Sequence, residues 1–333
     1  MRVLVLGGTA WLGREVATRA VADGHAVTCL ARGTSGQPAG ASRIQGDRTS
    51  PDAYRPAVGA LDLVVDVARQ PGQVRGAVDA LADRVAHSVF VSSGNVYADH
   101  SAIGAVETAP LLPPLPGDVM ADVSVYGEVK VACERLVVDT LGPGRSLVAR
   151  VGLIGGPETC STARATGRHG SPLRQPWTAR CSCRTSPTSR WRSSTSATWR
   201  VGARRRRPAA RRDVRRRRPR LGLAEHLEVA RRVAGHTGPV RAASSAWLLE
   251  QGVEPWMGPR SLPLWLPDPG WRGFNARAGS RARVAGLRTR PLEETLADTL
   301  AWERSRAHDR QRRAGLTPDE ERSLLVELAA STG

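Results

Sequence analysis

The chain has 333 residues, 41% of them hydrophobic, which is enough for one large core or two ordinary ones. No apolar run approaches the length of a transmembrane helix, so a membrane-spanning protein of that type is excluded. The formal charge of +18 belongs to one stretch: residues 159–220 hold 19 arginines and one acid, Asp213, and the remainder holds 30 basic and 30 acidic side chains, which excludes a generally basic, nucleic-acid-coating surface.

In chain order, Val3–Leu6 reads as a first strand closed by Gly7-Gly8, and its apolar run is too short for a signal peptide. Trp11–Ala22 has helical spacing and stops at Asp23-Gly24; Ala26–Ala31 is a second β-rich run, and a third strand precedes Gly46-Asp47. Leu61–Val67 and Ser88–Ser92 are further apolar runs. Tyr126–Thr140 is an amphipathic helix with Val129, Cys133, Leu136 and Val137 on one face. Ser146–Ile154 is another strand, closed by Gly155-Gly156-Pro157. Strands alternating with helices predict an α/β fold, a Rossmann-type doubly wound parallel sheet over residues 1–157. Residues 221–303 form a smaller C-terminal substrate region, with helices at Ala224–Ala234 and Leu292–Glu303 around a stretch rich in Trp and Pro. Residues 304–333 are a polar tail with a short helix, begun by a capping box from Thr317 to Glu320.

The segment 158–220 differs in kind. From 159 to 220 only Leu173, Val201 and Val214 come from the Val/Ile/Leu/Phe/Met set, so composition predicts disorder. It reads as a frameshift product. Back-translated with GC-rich codons from Glu158 and read from the third base, it permits a sequence ending VEVIDVRDLA, with β-like runs; Arg212–Pro219 read one base in permits GTFDVVGP, and the frame is restored by about Leu221. Genomic codons that forbid these readings would exclude the idea. The rival reading is an arginine-rich arm on nucleic-acid phosphates, with steep salt dependence lost on deleting Arg204–Arg220. Cys160, His169, Cys181 and Cys183 fit no standard zinc spacing, so no metal is assigned. With Cys29 and Cys133 they make five cysteines without a disulfide framework, which fits a reduced, cytoplasmic protein.

Three motifs carry chemistry. Gly7-Gly8-Thr9-Ala10-Trp11-Leu12-Gly13 joins a strand to a helix, the context in which backbone N–H groups and a helix N-terminus receive a pyrophosphate; a plain βα turn is the alternative. Arg32, after the second strand, stands where an acid would bond a ribose 2′-hydroxyl, and favours the 2′-phosphate of NADP, unless it is one more solvated arginine. Asp47 reaches an adenine or caps the next helix. Val89-Phe90-Val91-Ser92-Ser93-Gly94-Asn95-Val96-Tyr97 ends a buried strand in hydroxyl side chains. Lys130 is the chain's one lysine against 48 arginines, four residues after Tyr126, so the two share a helix face. A compact ammonium kept against that bias points to chemistry arginine would not perform.

These motifs in this order resemble the extended short-chain dehydrogenase/reductase superfamily, and most closely its NAD-dependent epimerase/dehydratase-like branch. V-F-V-S-S-G-N-V-Y, Y-G-E-V-K, R-V-G-L-I-G-G-P and the C-terminal G-L-R-T-R-P-L-E-E-T-L-A-D-T-L-A-W-E carry the likeness, over about 1–157 and 221–303. Ala10 replaces the common middle glycine, and Arg32 replaces the acid expected for NAD. The resemblance implies an NAD(P)-dependent oxidoreductase or epimerase acting on a small-molecule substrate, with no membrane or nucleic-acid partner and with homo-oligomers compatible. It implies Ser93 as the catalytic serine with Ser92 its neighbour, Tyr126 as acid/base, and Lys130 holding the nicotinamide ribose while lowering the phenol pKa; the cofactor carries the hydride. It also implies that much of the substrate pocket falls in 158–220, so the chain as translated would bind cofactor yet lack turnover. The alternative is a non-catalytic nucleotide-binding or RNA-binding member.

Overall fold

The computed structural model describes residues 1–33, 36, 38–57, 59–157, 181–183, 190–191, 194–195, 221–238, 240–306 and 314–331; the three short pieces between 181 and 195 are described by backbone alone. The chain packs as two compact units, Met1–Ala98 with Ala109–Val151, and Asp99–Thr108 with Gly152–Gly333.

The first unit is a six-stranded sheet: β1 Arg2–Leu6, β2 Ala26–Ala31, β3 Ser42–Gln45, β4 Leu61–Asp66, β5 Val85–Ser93 and β6 Ser146–Val151. Their spatial order is β3-β2-β1-β4-β5-β6, and every pairing is parallel. The central strands are buried on both faces, which is why β1 and β4 read as continuous apolar runs. Three helices cover them: α1 Trp11–Ala22, α2 Pro71–Leu81 and α3 Tyr126–Leu141. On one face Leu4, Leu6, Leu30, Val64 and Phe90 meet Val74, Val78 and Leu81 of α2 and Val129, Cys133 and Val137 of α3 in one core. Helix α1 buries only small residues, Gly13, Ala17 and Ala20. The doubly wound parallel sheet is the architecture expected from the alternation, and the chain order reverses between β1 and β4.

Three differences stand out. Helix α2 was not among the expected elements, although Pro71 begins it and Val74, Ala77, Val78 and Leu81 give it an apolar stripe. The strand expected over Ser146–Ile154 is two pieces, β6 and a short strand Ile154–Gly155, and the first unit ends between them at Val151 rather than at 157. Residues Asp99–Thr108 belong to the second unit.

In the second unit, helices Leu223–Ala234, Ser245–Glu250, Leu292–Arg304 and Pro318–Ser331 enclose cores around Leu248, Leu262 and Trp265 and around Val229, Ala230, Leu292 and Leu296. The expected capping box forms: the Thr317 N–H donates to Glu320 Oε2 at 2.7 Å, and the Glu320 N–H donates to Thr317 Oγ1 at 3.2 Å. His100 stacks on Trp271 with centroids 4.7 Å apart and meets Phe274 edge-on. Composition predicted no structure in 158–220, yet Cys181–Cys183 pairs in parallel with Arg241–Ala243, Ser194–Thr195 with Ile154–Gly155, and Arg190–Trp191 antiparallel with Leu221–Gly222. Main-chain pairing uses the donor and acceptor every residue except proline carries, so it needs no apolar side chain. The rest of that segment, including Cys160, His169 and Arg204–Arg220, lies outside the described residues.

Candidate active site

The singled-out residues of the first unit collect at the C-terminal ends of the parallel strands, where open α/β sheets bind their ligands. Gly7 leaves β1 at φ +87°, and the Ala10 N–H donates to the Gly7 carbonyl at 3.1 Å, closing the turn. A Cβ on Gly13 would press into that carbonyl group, 2.8 Å from its carbon, so a glycine lets α1 start hard against the strand end. No side chain caps α1: Ala10 stands at its N-cap and offers no acceptor. A closely wound glycine turn feeding an uncapped helix N-terminus fits a pyrophosphate. Gly7, Thr9, Ala10, Trp11, Leu12 and Gly13 are therefore together.

Arg32 follows β2 with its side chain exposed. Arg43 of β3 reaches the same corner: its Nη1 lies 3.7 Å from the position a Gly33 Cβ would take. Asp47 follows β3 and closes a turn on Thr49, accepting from its N–H at 3.0 Å and its hydroxyl at 2.9 Å; these bonds, above all, hold its carboxyl below the usual range. The short helical turn at Pro51–Tyr54 is capped by Ser50, not by Asp47.

The two serines of β5 point to different partners. Ser92 is buried and donates to Glu134 Oε1 of α3 at 2.5 Å; Arg150 of β6, its register neighbour, clamps the same carboxylate with Nη2 2.7 Å from Oε2. The expected cofactor contact at Ser92 thus finds its hydroxyl committed inside the unit. Ser93 Oγ donates to Asn95 Oδ1 at 2.8 Å. Tyr126 is the first residue of α3. Gly127 after it brings the helix onto the strand-end turn, because a Cβ there would lie 2.5 Å from the Asn95 carbonyl oxygen.

Lys130 is 2% exposed. Its Nζ donates to the Ala68 carbonyl at 2.6 Å and to the Val91 carbonyl at 2.8 Å, and lies 4.6 Å from the Phe90 ring centroid and 6.0 Å from that of Tyr126. Burial brings the ammonium down to about 8, against Cys133, Asp66 and Glu134, which pull it up. Burial likewise raises the Tyr126 phenol above its ordinary value, and the Arg69 charge pulls it back. Burial also pushes the Cys133 thiol up to about 12.

Sequence reading missed the group beneath this site. Asp66, at the end of β4, is buried and gripped by both Nη atoms of Arg48 at 2.8 and 2.7 Å; it also accepts from the Ala68 N–H at 2.8 Å. Arg48 donates onward to the Tyr54 hydroxyl and the Gln73 carbonyl. The signal was present in Val64-Val65-Asp66-Val67, where an acid inside an apolar run requires a partner.

The parallel sheet, its flanking helices and the glycine turn make the first unit a Rossmann-type α/β fold. Residues 3–157 match the NAD dependent epimerase/dehydratase family. A stretch of 70 residues is 39% identical to the Photosystem II assembly factor Ycf39 of Synechocystis sp., spanning 20% of this chain and 22% of that protein. Among solved structures, the UDP-Glc/GlcNAc 4-epimerase of Campylobacter jejuni is 13% identical with a TM-score of 0.58, covering 91% of this chain and 99% of that one. WbmH of Bordetella bronchiseptica in complex with NAD+ is 14% identical with a TM-score of 0.55, covering 91% and 98%. The UDP-glucose 4-epimerase of Thermotoga maritima, solved with UDP-glucose, is 14% identical with a TM-score of 0.56, covering 91% and 99%. At these identities the likeness to solved structures is one of fold. No helix among the described residues is long and apolar enough to cross a membrane.

Proposed function

We propose that the chain is an NAD(P)-dependent epimerase or oxidoreductase in which Tyr126 exchanges a proton with a substrate hydroxyl or carbonyl. The observation that carries this is that α3 starts at Tyr126 against the turn after Ser93, with Gly127 packed on the Asn95 carbonyl, at the carboxyl end of a sheet that also carries a glycine turn fit for a dinucleotide. The turn from Gly7 to Gly13 would hold the pyrophosphate. When bound, the nicotinamide supplies the two-electron exchange. Ser93 orients the substrate oxygen, and Tyr126 donates or accepts its proton. Lys130 supports from within, fixing the loop after β4 to β5 through Ala68 and Val91. The substrate class is a nucleotide sugar, by the names of three-dimensional relatives alone, and reduction and epimerisation use the same residues.

Within NAD(P) we favour NADP. Arg32 follows β2 and Arg43 Nη1 reaches the neighbouring Gly33, so a 2′-phosphate at this strand end would have two arginines to draw on. Titration with NADPH and NADH should show tighter NADPH binding, weakened about tenfold in Arg32→Ala; equal affinities for the two would end this preference. The central test is Tyr126→Phe, assayed against a panel of UDP-sugars: turnover should fall by roughly 10²–10⁴-fold with cofactor affinity unchanged. A soluble chain that binds cofactor but turns over no substrate would agree with a frameshifted 158–220.

A second reading is a nucleotide-binding assembly protein without catalysis. The likeness to an assembly factor supports it, as does the engagement of Lys130 with two backbone carbonyls. An unchanged biological role in Tyr126→Phe would favour it.

A further inference from the structure

Resting on Ser93 as the group that orients the substrate oxygen, we propose that Asn95 is the positioning residue that makes the Ser93 hydroxyl a hydrogen-bond acceptor, and that the Asn95 carboxamide supplies the donor in its place.

The chain holds two asparagines among its 333 residues, Asn95 and Asn275. Asn95 follows the end of β5 by two residues, in the short helical turn Gly94–Val96. Three contacts hold this turn. Ser93 Oγ accepts from the Asn95 N–H at 3.2 Å, the Val96 carbonyl accepts from the Leu112 N–H at 2.8 Å, and Gly127 of α3 packs on the Asn95 carbonyl. The Asn95 backbone, and the root of its side chain with it, is therefore fixed beside Ser93.

A serine hydroxyl carries one proton and two lone pairs. The Ser93 proton ends on Asn95 Oδ1 at 2.8 Å, and one lone pair takes the Asn95 N–H. One lone pair is left for a ligand. Ser93 held in this way accepts the proton of a substrate hydroxyl and has none to offer a substrate carbonyl. Ser92 cannot supply one, because its own hydroxyl is given to Glu134. The carboxamide makes up the lack. Asn95 is half-buried, its Oδ1 is engaged by Ser93, and among the described residues nothing takes the two Nδ2 protons. Oδ1 and Nδ2 share one carbon, so the bond that fixes the first also fixes the second next to Ser93. The pair thus presents an acceptor and a donor side by side. An alcohol uses both, the acceptor for its proton and the donor for its oxygen; the carbonyl form of the same substrate uses the donor alone.

The first test needs neither ligand nor turnover. The full chain, isotopically labelled at its asparagine carboxamides, gives two NH2 signals, and Asn95→Asp assigns one of them by deleting it. Both Nδ2 protons of Asn95 should exchange freely with water. Ser93→Ala should leave their resonances in place and shift that of the carboxamide carbon. An Nδ2 proton protected from exchange in the wild type, with the protection lost in Ser93→Ala, would mean that the carboxamide donates to Ser93, and overturns the proposal. A carboxamide carbon unmoved by Ser93→Ala overturns it as well. The second test is kinetic, with the panel of UDP-sugars. Asn95→Leu removes both contacts and should lower kcat by roughly 10²-fold with cofactor affinity unchanged. Asn95→Asp keeps an acceptor for Ser93 and lacks the donor, so it should restore oxidation of a hydroxyl more than reduction of the corresponding carbonyl. Wild-type kcat and KM in Asn95→Leu overturn the proposal. A panel without turnover bears on the proposed function alone, and the resonance result then decides the role of Asn95.

Discussion

The two units handle buried charge and backbone strain differently. In the first, the buried ionic groups Arg48, Asp66, Lys130 and Glu134 all have partners, and positive φ among the described residues is confined to glycine. In the second, Trp256 and Leu264 adopt φ of 65° and 72°, a region bulky side chains rarely enter, and the buried Nε2 of His226 has no partner among the described residues. Burial drives the His226 imidazole down to about 4. The lesson concerns where a fold stores its costs. The sheet unit pairs its buried carboxylates and the cations beside them within itself, while the second unit keeps strained backbone and an unsatisfied ring.

The sharpest way to break this contrast is the Arg48–Asp66 pair, whose side chains are 7% and 5% exposed. Arg48→Met leaves a buried carboxylate unpaired, so urea unfolding should show a loss of about 3–5 kcal/mol. A loss below about 1 kcal/mol would mean that water reaches Asp66.

Next are two opposed titrations, each worth roughly 3 kcal/mol, from the gap between folded and ordinary pKa values. His226 has a folded value of about 4 against an ordinary 6.5. Between these values the unfolded chain binds a proton that the folded chain refuses. Stability from this group is complete above pH 6.5 and drains away as pH falls towards 4. His226→Leu should flatten that acid slope in pH-dependent unfolding. Lys130 has a folded value of about 8 against 10.5, so its burial penalty is fully present below 8 and is relieved as pH rises to 10.5. The difference between wild type and Lys130→Met should therefore climb with pH across that window. Cys133 acts in the opposite direction as its unfolded thiol ionises near 9, so only the difference curve isolates Lys130.

The smallest effect belongs to the second unit's surface. Arg290 pairs with Asp298 at 2.6 Å, with side chains 29% and 50% exposed. Arg290→Ala should cost less than about 1 kcal/mol and fade with salt, in contrast to Arg48→Met.

Much of the first unit was legible in the sequence because its signals are local. Period and turn residues placed β1, α1, β2 and α3, and the spacing of Tyr126 and Lys130 placed both on one helix face. What escaped was set by partners far along the chain. Ser92 and Ser93 are adjacent and chemically alike, yet Glu134, 42 positions after Ser92, decides which of them remains for a ligand. Arg69 and Arg43 were hidden by a chain with 48 arginines, where one more conveys nothing until its surroundings are known. Helix α2 has a stripe of alanine and valine that propensity alone does not separate from the flanking strands. In the second unit, the expected helices formed at Leu223–Ala234 and Leu292–Arg304, but composition gave no warning that residues at 181–183 and 194–195 would pair.

Lys130 also has a dynamic consequence. Its ammonium ties the carbonyl after β4 to the carbonyl of Val91 in β5, and its side chain is buried on α3. Opening the floor of the site therefore means parting two central strands and exposing an ammonium among apolar side chains. Amides at Val67, Ala68 and Val91 should exchange with solvent only through whole-unit unfolding, at a free energy equal to that of global denaturation. The floor of the candidate site would then be the slowest-exchanging part of the molecule.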